Sequence, residues 1–218
     1  MKTDMQLHKD VLAELTWDPQ LNEKEIGVAA KDGVVTLTGW VASYAEKLAA
    51  ERATERVAGV KAVANDLTVK IPSNFARSDT ELAHRIVDAL VWDVEVPDEK
   101  ITASVTNGWV TLEGEVEWQY QRDAAARAAR NLAGVHGVYN NIHVMAKRVS
   151  SDEVSQSIKE ALERRADRTA SHIIVDTKDG VVTLTGSVPS YGDRRAAEGA
   201  AWSAPGVTEV RDALAVVF

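Results

Sequence analysis

Asp32-Gly33-Val34-Val35-Thr36-Leu37-Thr38-Gly39 returns twice along the chain, as Asn107-Gly108-Trp109-Val110-Thr111-Leu112-Glu113-Gly114 and as Asp179-Gly180-Val181-Val182-Thr183-Leu184-Thr185-Gly186. The turn glycines stand 75 and then 72 residues apart. Twenty residues beyond the second glycine of each octet comes another, at Gly59, Gly134 and Gly206, each followed by valine. A closing apolar stretch ends every copy: Leu67-Thr68-Val69, Ile142-His143-Val144 and Leu214-Ala215-Val216. Self-similarity at a near-constant period marks a repeat architecture. The three-residue shortening falls between Val144 and Ser151, in a linker.

Working outward, each octet reads as a hairpin. Asp-Gly or Asn-Gly between two apolar stretches supplies the two positive-φ residues that a two-residue antiparallel connection requires. The strand before the turn alternates, with Ile26, Val28 and Ala30 on one side in the first copy and Ile101, Ala103 and Val105 in the second. Ahead of it lies a helix with apolar residues every four positions: Leu7, Val11, Leu15; Leu82, Ile86, Leu90; Val154, Ile158, Leu162. Asp4, Asp79 and Ser151 are the expected caps of these helices. A second helix is expected over about 43–57, 118–132 and 190–204, turning a row of small residues inward: Ala45, Ala49, Ala53, Val57; Tyr120, Ala124, Ala128, Leu132; Gly192, Ala196, Ala200, Ala204. Gly59, Gly134 and Gly206 then fall where a left-handed helix cap is expected.

The fold class is therefore α+β. The chain reads as three tandem αββαβ units, over 4–72, 78–146 and 149–217, each a three-stranded mixed sheet covered by two helices. Gly33, Gly39, Gly59, Gly108, Gly114, Gly134, Gly180, Gly186 and Gly206 are read as structural turn and cap positions. Strand order is not given by the pattern, although a right-handed crossover is expected if the last strand runs parallel to the second.

The combination of a D-G-x-V-x-L-x-G hairpin, an alanine-rich helix and a closing G-V-x-x-V-x-N-x-L-x-V, seen as Gly59-Val60-Lys61-Ala62-Val63-Ala64-Asn65-Asp66-Leu67-Thr68-Val69, resembles the BON domain. The second copy keeps Asn140 at the asparagine position and the third has Asp212. The resemblance covers almost the whole chain, three times over. It implies a compact module found mainly in bacterial envelope and stress proteins, among them osmotically inducible periplasmic proteins, and associated with phospholipid surfaces. This chain differs from those in having a third copy and no evident signal peptide.

With 33 acidic and 25 basic residues the net charge is −8, the wrong sign for a general nucleic-acid binder. There is no cysteine, so disulfides, thiolate metal sites and cysteine nucleophiles are excluded. The first residues, Met1-Lys2-Thr3-Asp4, are polar and charged where a secretory signal needs an apolar run, and no apolar run reaches the roughly 18 residues of a spanning helix. The expectation is a cytoplasmic protein, peripheral to a membrane at most, or a periplasmic one if a leader has been removed.

No enzyme is expected. The histidines His8, His84, His136, His143 and His172 form no H-x3-H or H-E-x-x-H pattern and occupy unrelated positions in the repeat, so neither a metal nor a cofactor is expected. His143 reads as a solvent-facing strand residue. The turn glycines build no phosphate loop, because each connects strand to strand.

Two groups are candidates for lipid or ligand binding. Trp40, Trp109, Trp118 and Trp202 mostly replace polar residues of the other copies, which marks them as surface positions serving an inter-repeat contact, an oligomer, a ligand or a lipid interface. Trp17 and Trp92, equivalent to each other, read instead as core or packing residues. Arg164, Arg165, Arg168, Arg194 and Arg195 cluster in the third copy, where they offer an anionic surface a weak hold if they face one way. The interleaved Glu160, Glu163, Asp167 and Asp193 support the alternative of a solvated, salt-bridged face. The resulting expectation is a non-enzymatic stress- or envelope-associated protein contacting anionic phospholipid or a protein partner. The alternative is a homo-oligomer that binds amphipathic small molecules, in transport or drug tolerance, through its tryptophan and arginine surfaces.

Overall fold

A computed structural model describes residues 2–145, 149–165 and 173–217. Among these, three similar units follow one another. The first runs α1 (Asp4–Trp17), β1 (Ile26–Lys31), β2 (Val34–Val41), α2 (Tyr44–Glu55), β3 (Ala62–Asn65) and β4 (Thr68–Val69). The second runs α3 (Asp79–Trp92), β5 (Ile101–Thr106), β6 (Trp109–Val116), α4 (Gln119–Arg130) and β7 (Gly137–Val144). The third runs α5 (Ser151–Arg165), β8 (Ile173–Lys178), β9 (Val181–Val188), α6 (Tyr191–Trp202) and β10 (Glu209–Val216). By compactness the chain divides into one unit of Met1–Asp93, Ala103–Leu112 and Ala126–Asn140 and another of Val94–Thr102, Glu113–Ala125 and Asn141–Phe218.

The hairpin turns are as the sequence predicts. Asp32, Asn107 and Asp179 have φ of 53°, 52° and 50°, and the glycines that follow have 87°, 75° and 82°. Both central residues are thus left-handed, the geometry that matches the twist of the flanking strands. The turn fixes Lys31 opposite Val34 and, at the far end, Ile26 opposite Gly39. Gly39 has φ 108°, and a Cβ there would overlap the Glu25 carbonyl oxygen.

In each sheet the second strand is central: the orders are β1-β2-β3, β5-β6-β7 and β10-β9-β8. The hairpin pair is antiparallel, while β3 and β10 run parallel to β2 and β9. β3 and β4 are halves of one interrupted strand, since Leu37 pairs with Asn65 and Trp40 with Thr68 at the same offset. The sheets are therefore three-stranded and mixed, as expected.

The helix caps lie one residue earlier than the sequence suggests. Thr3, Ser78 and Ser150 accept the N–H groups of Gln6, Glu81 and Glu153, and Glu81 returns a bond to the Ser78 amide in a capping box. Asp4 and Asp79 do something else: Asp4 accepts from the Asp32 amide at 2.9 Å, and Asp79 from Asn107 and Gly108 at 2.7 and 2.8 Å. Each carboxylate thus grips its hairpin turn.

Leu7, Val11 and Leu15, with their counterparts in α3 and α5, are buried as expected, each fully buried Leu, Ile or Val contributing about 1.5–3 kcal/mol. The inward face of the second helix is a broader stripe than a single row. Ala49, Ala50, Ala53, Ala124, Ala125, Ala129, Ala197, Ala200 and Ala201 are buried, whereas Tyr120, Gly192 and Ala196 are exposed. A flat sheet meets two adjacent columns of a helix, at i and i+1, and not one. Gly59 and Gly134 are not helix caps either. They sit at the third position of the turns closed by Val60 N–H to Val57 and Val135 N–H to Leu132, where positive φ is required.

Trp17 and Trp92 are exposed, at 83% and 84%, against their expected place in the core. Each comes two residues after the last buried leucine of its helix, Leu15 or Leu90. Two helical steps of about 100° carry a side chain to the opposite face.

The interrupted closing strand is tied to the second helix by its one inward polar residue. Asn65 donates to the Lys47 carbonyl and to Glu51, both at 3.0 Å, and its oxygen receives the Leu67 amide. At the same place in the third unit, Asp212 receives the Leu214 amide and takes a 2.6 Å ion pair from Arg194, which stands where Lys47 does. Amide with backbone carbonyl and carboxylate, or carboxylate with guanidinium, are two solutions to one burial problem. Asn65→Asp is therefore expected to lower stability by about 1–3 kcal/mol in urea unfolding, because it removes both donors and sets a second carboxylate against Glu51. Combining it with Lys47→Arg is expected to restore part of the loss.

Candidate binding surfaces

The candidate aromatic residues fall into separate environments. Trp40, on the outer face of β2, is half-buried, with Lys70 Nζ 5.3 Å from its ring centroid. Trp109 stacks on Tyr139 of the neighbouring strand, centroids 5.1 Å apart and planes at 20°. Its ring also covers Gly137, where any Cβ would overlap it. A sheet glycine shielded by a cross-strand aromatic explains why the valine of the other copies is a tryptophan here. Trp118 and Trp202 are both half-buried and do come together: with Gln119, Tyr120, Asp123, Gly199 and Ser203 they line a groove of about 470 Å³ between α4 and α6. Trp202 also packs against the buried cluster of the third unit.

The arginines do not present one described patch. Arg194 is engaged by Asp212 and lies 6.0 Å from the Tyr191 ring. Arg195 is exposed on the next turn face of α6. Arg164 and Arg165 close α5 with side chains outside the described residues, and Arg168 and His172 lie wholly outside them. His143 is exposed on β7, as its strand position implies.

Position by position, Arg164 is the counterpart of Trp17 and Trp92. The end of the first helix thus carries an exposed indole in two units and the start of an Arg-Arg pair in the third. Around Trp92 the apolar surface widens, with Val87 and Val91 exposed and Val94 fully so. Around Trp17 it does not, because Arg56 bridges Glu14 at 2.8 Å and Asp18 at 3.2 Å alongside.

Within the first compact unit a contact joins two repeats. Tyr44, the first residue of α2, is half-buried beside Val138 and Tyr139 of β7. Burial pushes its hydroxyl above the ordinary value, outweighing a hydrogen bond from the Val138 backbone that favours the phenolate. Sequence reading missed Tyr44 because nothing in its own repeat marks it, and a tyrosine recurs at Tyr191.

Among the described residues, no three His, Asp or Glu side chains group in a way that would hold a metal ion. None of the described helices is long and apolar enough to cross a membrane.

The BON domain family matches residues 3–71, 78–146 and 150–217. The chain belongs to that family. It is a three-domain BON protein, 32% identical over 190 residues to osmotically-inducible protein Y of Escherichia coli (strain K12), an alignment covering 83% of this chain and 92% of the relative. It is also 30% identical over 143 residues to the 21 kDa hemolysin of Actinobacillus pleuropneumoniae, covering 64% of this chain and 73% of that protein. Among solved structures, the C-terminal domain of CdsD, the structural protein of the Type III secretion system of Chlamydia trachomatis, aligns over 100% of both chains at 13% identity and a TM-score of 0.28.

The raised Tyr44 hydroxyl has a pH signature. The unfolded chain loses that proton near pH 10 while the folded BON protein retains it, so stability falls as pH rises through and beyond 10. In urea unfolding at about pH 8 and about pH 11, Tyr44→Phe is expected to lose less stability across the interval than the parent. An equal loss would show that Tyr44 is not desolvated by β7.

Proposed function

We propose that this BON protein is a non-enzymatic, envelope- or stress-associated binding protein that attaches peripherally to a phospholipid surface. The observation that carries the reading is the pair of exposed tryptophans, Trp17 and Trp92, at one repeated position, with Arg164 and Arg165 at the third. An indole suits the headgroup region, since its apolar body and N–H are served together there. Val87, Val91 and Val94 add apolar area beside Trp92.

Electrostatics divide the work. Asp88, Asp93 and Glu95 flank Trp92 and disfavour an anionic surface at that point. The arginines of the third unit favour one, at roughly 1 kcal/mol for each basic side chain near the headgroups. The tryptophans therefore supply attachment of any charge type and the arginines supply the preference for anionic lipid. The relationship to an osmotically inducible protein supports a stress-linked role.

Sedimentation with phosphatidylglycerol-containing and with purely zwitterionic vesicles, at low and high salt, tests this reading. Binding is expected to be stronger to the anionic vesicles and to weaken with salt. The Trp17→Ala, Trp92→Ala double variant is expected to bind both vesicle types about tenfold less tightly, equivalent to about 1.4 kcal/mol and within the burial worth of one large apolar side chain. Negligible binding of the parent to both vesicle types would refute the proposal.

A further inference from the structure

The groove between α4 and α6 is built from positions where one repeat abandons the common template. Trp118 stands where Ser43 and Ser190 cap their helices. Its helix start relies instead on Gln121, whose oxygen accepts the Glu117 and Trp118 amides at 3.1 Å. Tyr120 replaces Ala45 and Gly192, and Trp202 replaces Glu55 and Arg130. Gly199 replaces Arg52 and Arg127, in mid-helix, where glycine is among the least favourable residues. No crowding demands it, because a Cβ at Gly199 would meet nothing within 4 Å.

The lost cap at Trp118 and the mid-helix Gly199 are locally unfavourable, yet all four positions line one space. Gly199 opens it and removes a cation, and the three rings surround it with π faces. The charged group on its lining is Asp123, held at 2.9 Å by Gln119 Nε2, and no basic side chain is among the described residues that line it. Another of its polar atoms, Gln119 Oε1, is buried without a hydrogen-bond partner. A volume of about 470 Å³ lies in the range of small-molecule sites.

We infer that this groove binds a cationic amphipathic small molecule, with the cation over the indole faces and near Asp123 and the apolar body between Trp118, Tyr120 and Trp202. Aromatic faces and a carboxylate attract a poorly hydrated monocation and repel an anion of the same shape. The site is distinct from the helix ends that carry Trp17 and Trp92, and it does not depend on lipid attachment.

The test is isothermal titration of the full chain with tetraphenylphosphonium, beside the anionic probe 8-anilinonaphthalene-1-sulfonate. The parent is expected to bind the cation and not the anion. Trp118→Ser restores the cap of the sibling repeats, so it is expected to unfold at higher urea while binding the cation about tenfold less tightly. Trp202→Ala is expected to weaken binding to a similar extent, and Gly199→Arg, which returns the arginine of the other repeats, to abolish it. Trp17→Ala with Trp92→Ala is expected to leave it unchanged. Undiminished binding in Trp118→Ser, or equal binding of the anionic probe, would overturn the inference. So would a dimer that Trp202→Ala converts to monomer, because a second copy would then be the occupant of the groove.

Discussion

Two left-handed residues per unit set the register of the hairpin, and the entire inner face follows from that register. With Lys31 held opposite Val34, Val35 and Leu37 necessarily face the same side as Ala30, Val28 and Ile26. A slip of one residue would send that whole set to solvent. The turn is not left to its own preference. Asp79 receives two amides of the Asn107-Gly108 turn, and Asp4 one of the Asp32-Gly33 turn, so the start of the first helix is fixed to the same point that fixes the strands. Ser151 occupies that position in the third unit, which keeps the Asp-Gly turn without the carboxylate.

From this anchor the layers differ in how tightly they are specified. The first helix contributes large side chains and the second contributes alanines, so the second lies close to the sheet and its packing tolerates little change on the inner columns. Its outer columns carry no such demand. That asymmetry explains why α4 and α6 can accept Tyr120 and Gly199, both exposed, without disturbing Ala124, Ala125, Ala197, Ala200 or Ala201, all of which remain buried. The departures from the common template lie outside the frame that the three repeats share, and function is carried by such sites and not by the fold.

Periodicity made the architecture legible: the octets, the four-residue apolar rows and the mixed three-stranded sheets can all be read from one chain. Properties that depend on angle and not on spacing were less legible. Trp17 and Trp92 adjoin the buried row in sequence but face away from it, because two residues carry a helix more than half a turn. The alanine row is really two columns, which a single period of four cannot express. Asp4 and Asp79 look like caps because caps and first-turn carboxylates share composition, while their partners lie 28 and more residues away at the turns. The convergence of Trp118 with Trp202 needs two helices from different repeats to meet, which no spacing reveals. Tyr120 and Gly199, however, were available as departures from their counterparts.

Repetition itself supplies the means for such departures. Units of about 70 residues bury a modest fraction of their surface and hold little stability in reserve. A lost cap or a mid-helix glycine is therefore a large concession for one unit alone. In a chain of three, adjacent repeats can share surface, as Tyr44 does where it lies half-buried beside β7. The template position that one repeat gives up is still kept by the other two: Ser43 and Ser190 retain the cap that Trp118 abandons, and Arg52 and Arg127 the charge that Gly199 removes. A single BON domain must make every position serve folding, whereas three in series leave the outer columns of individual helices open to chemistry.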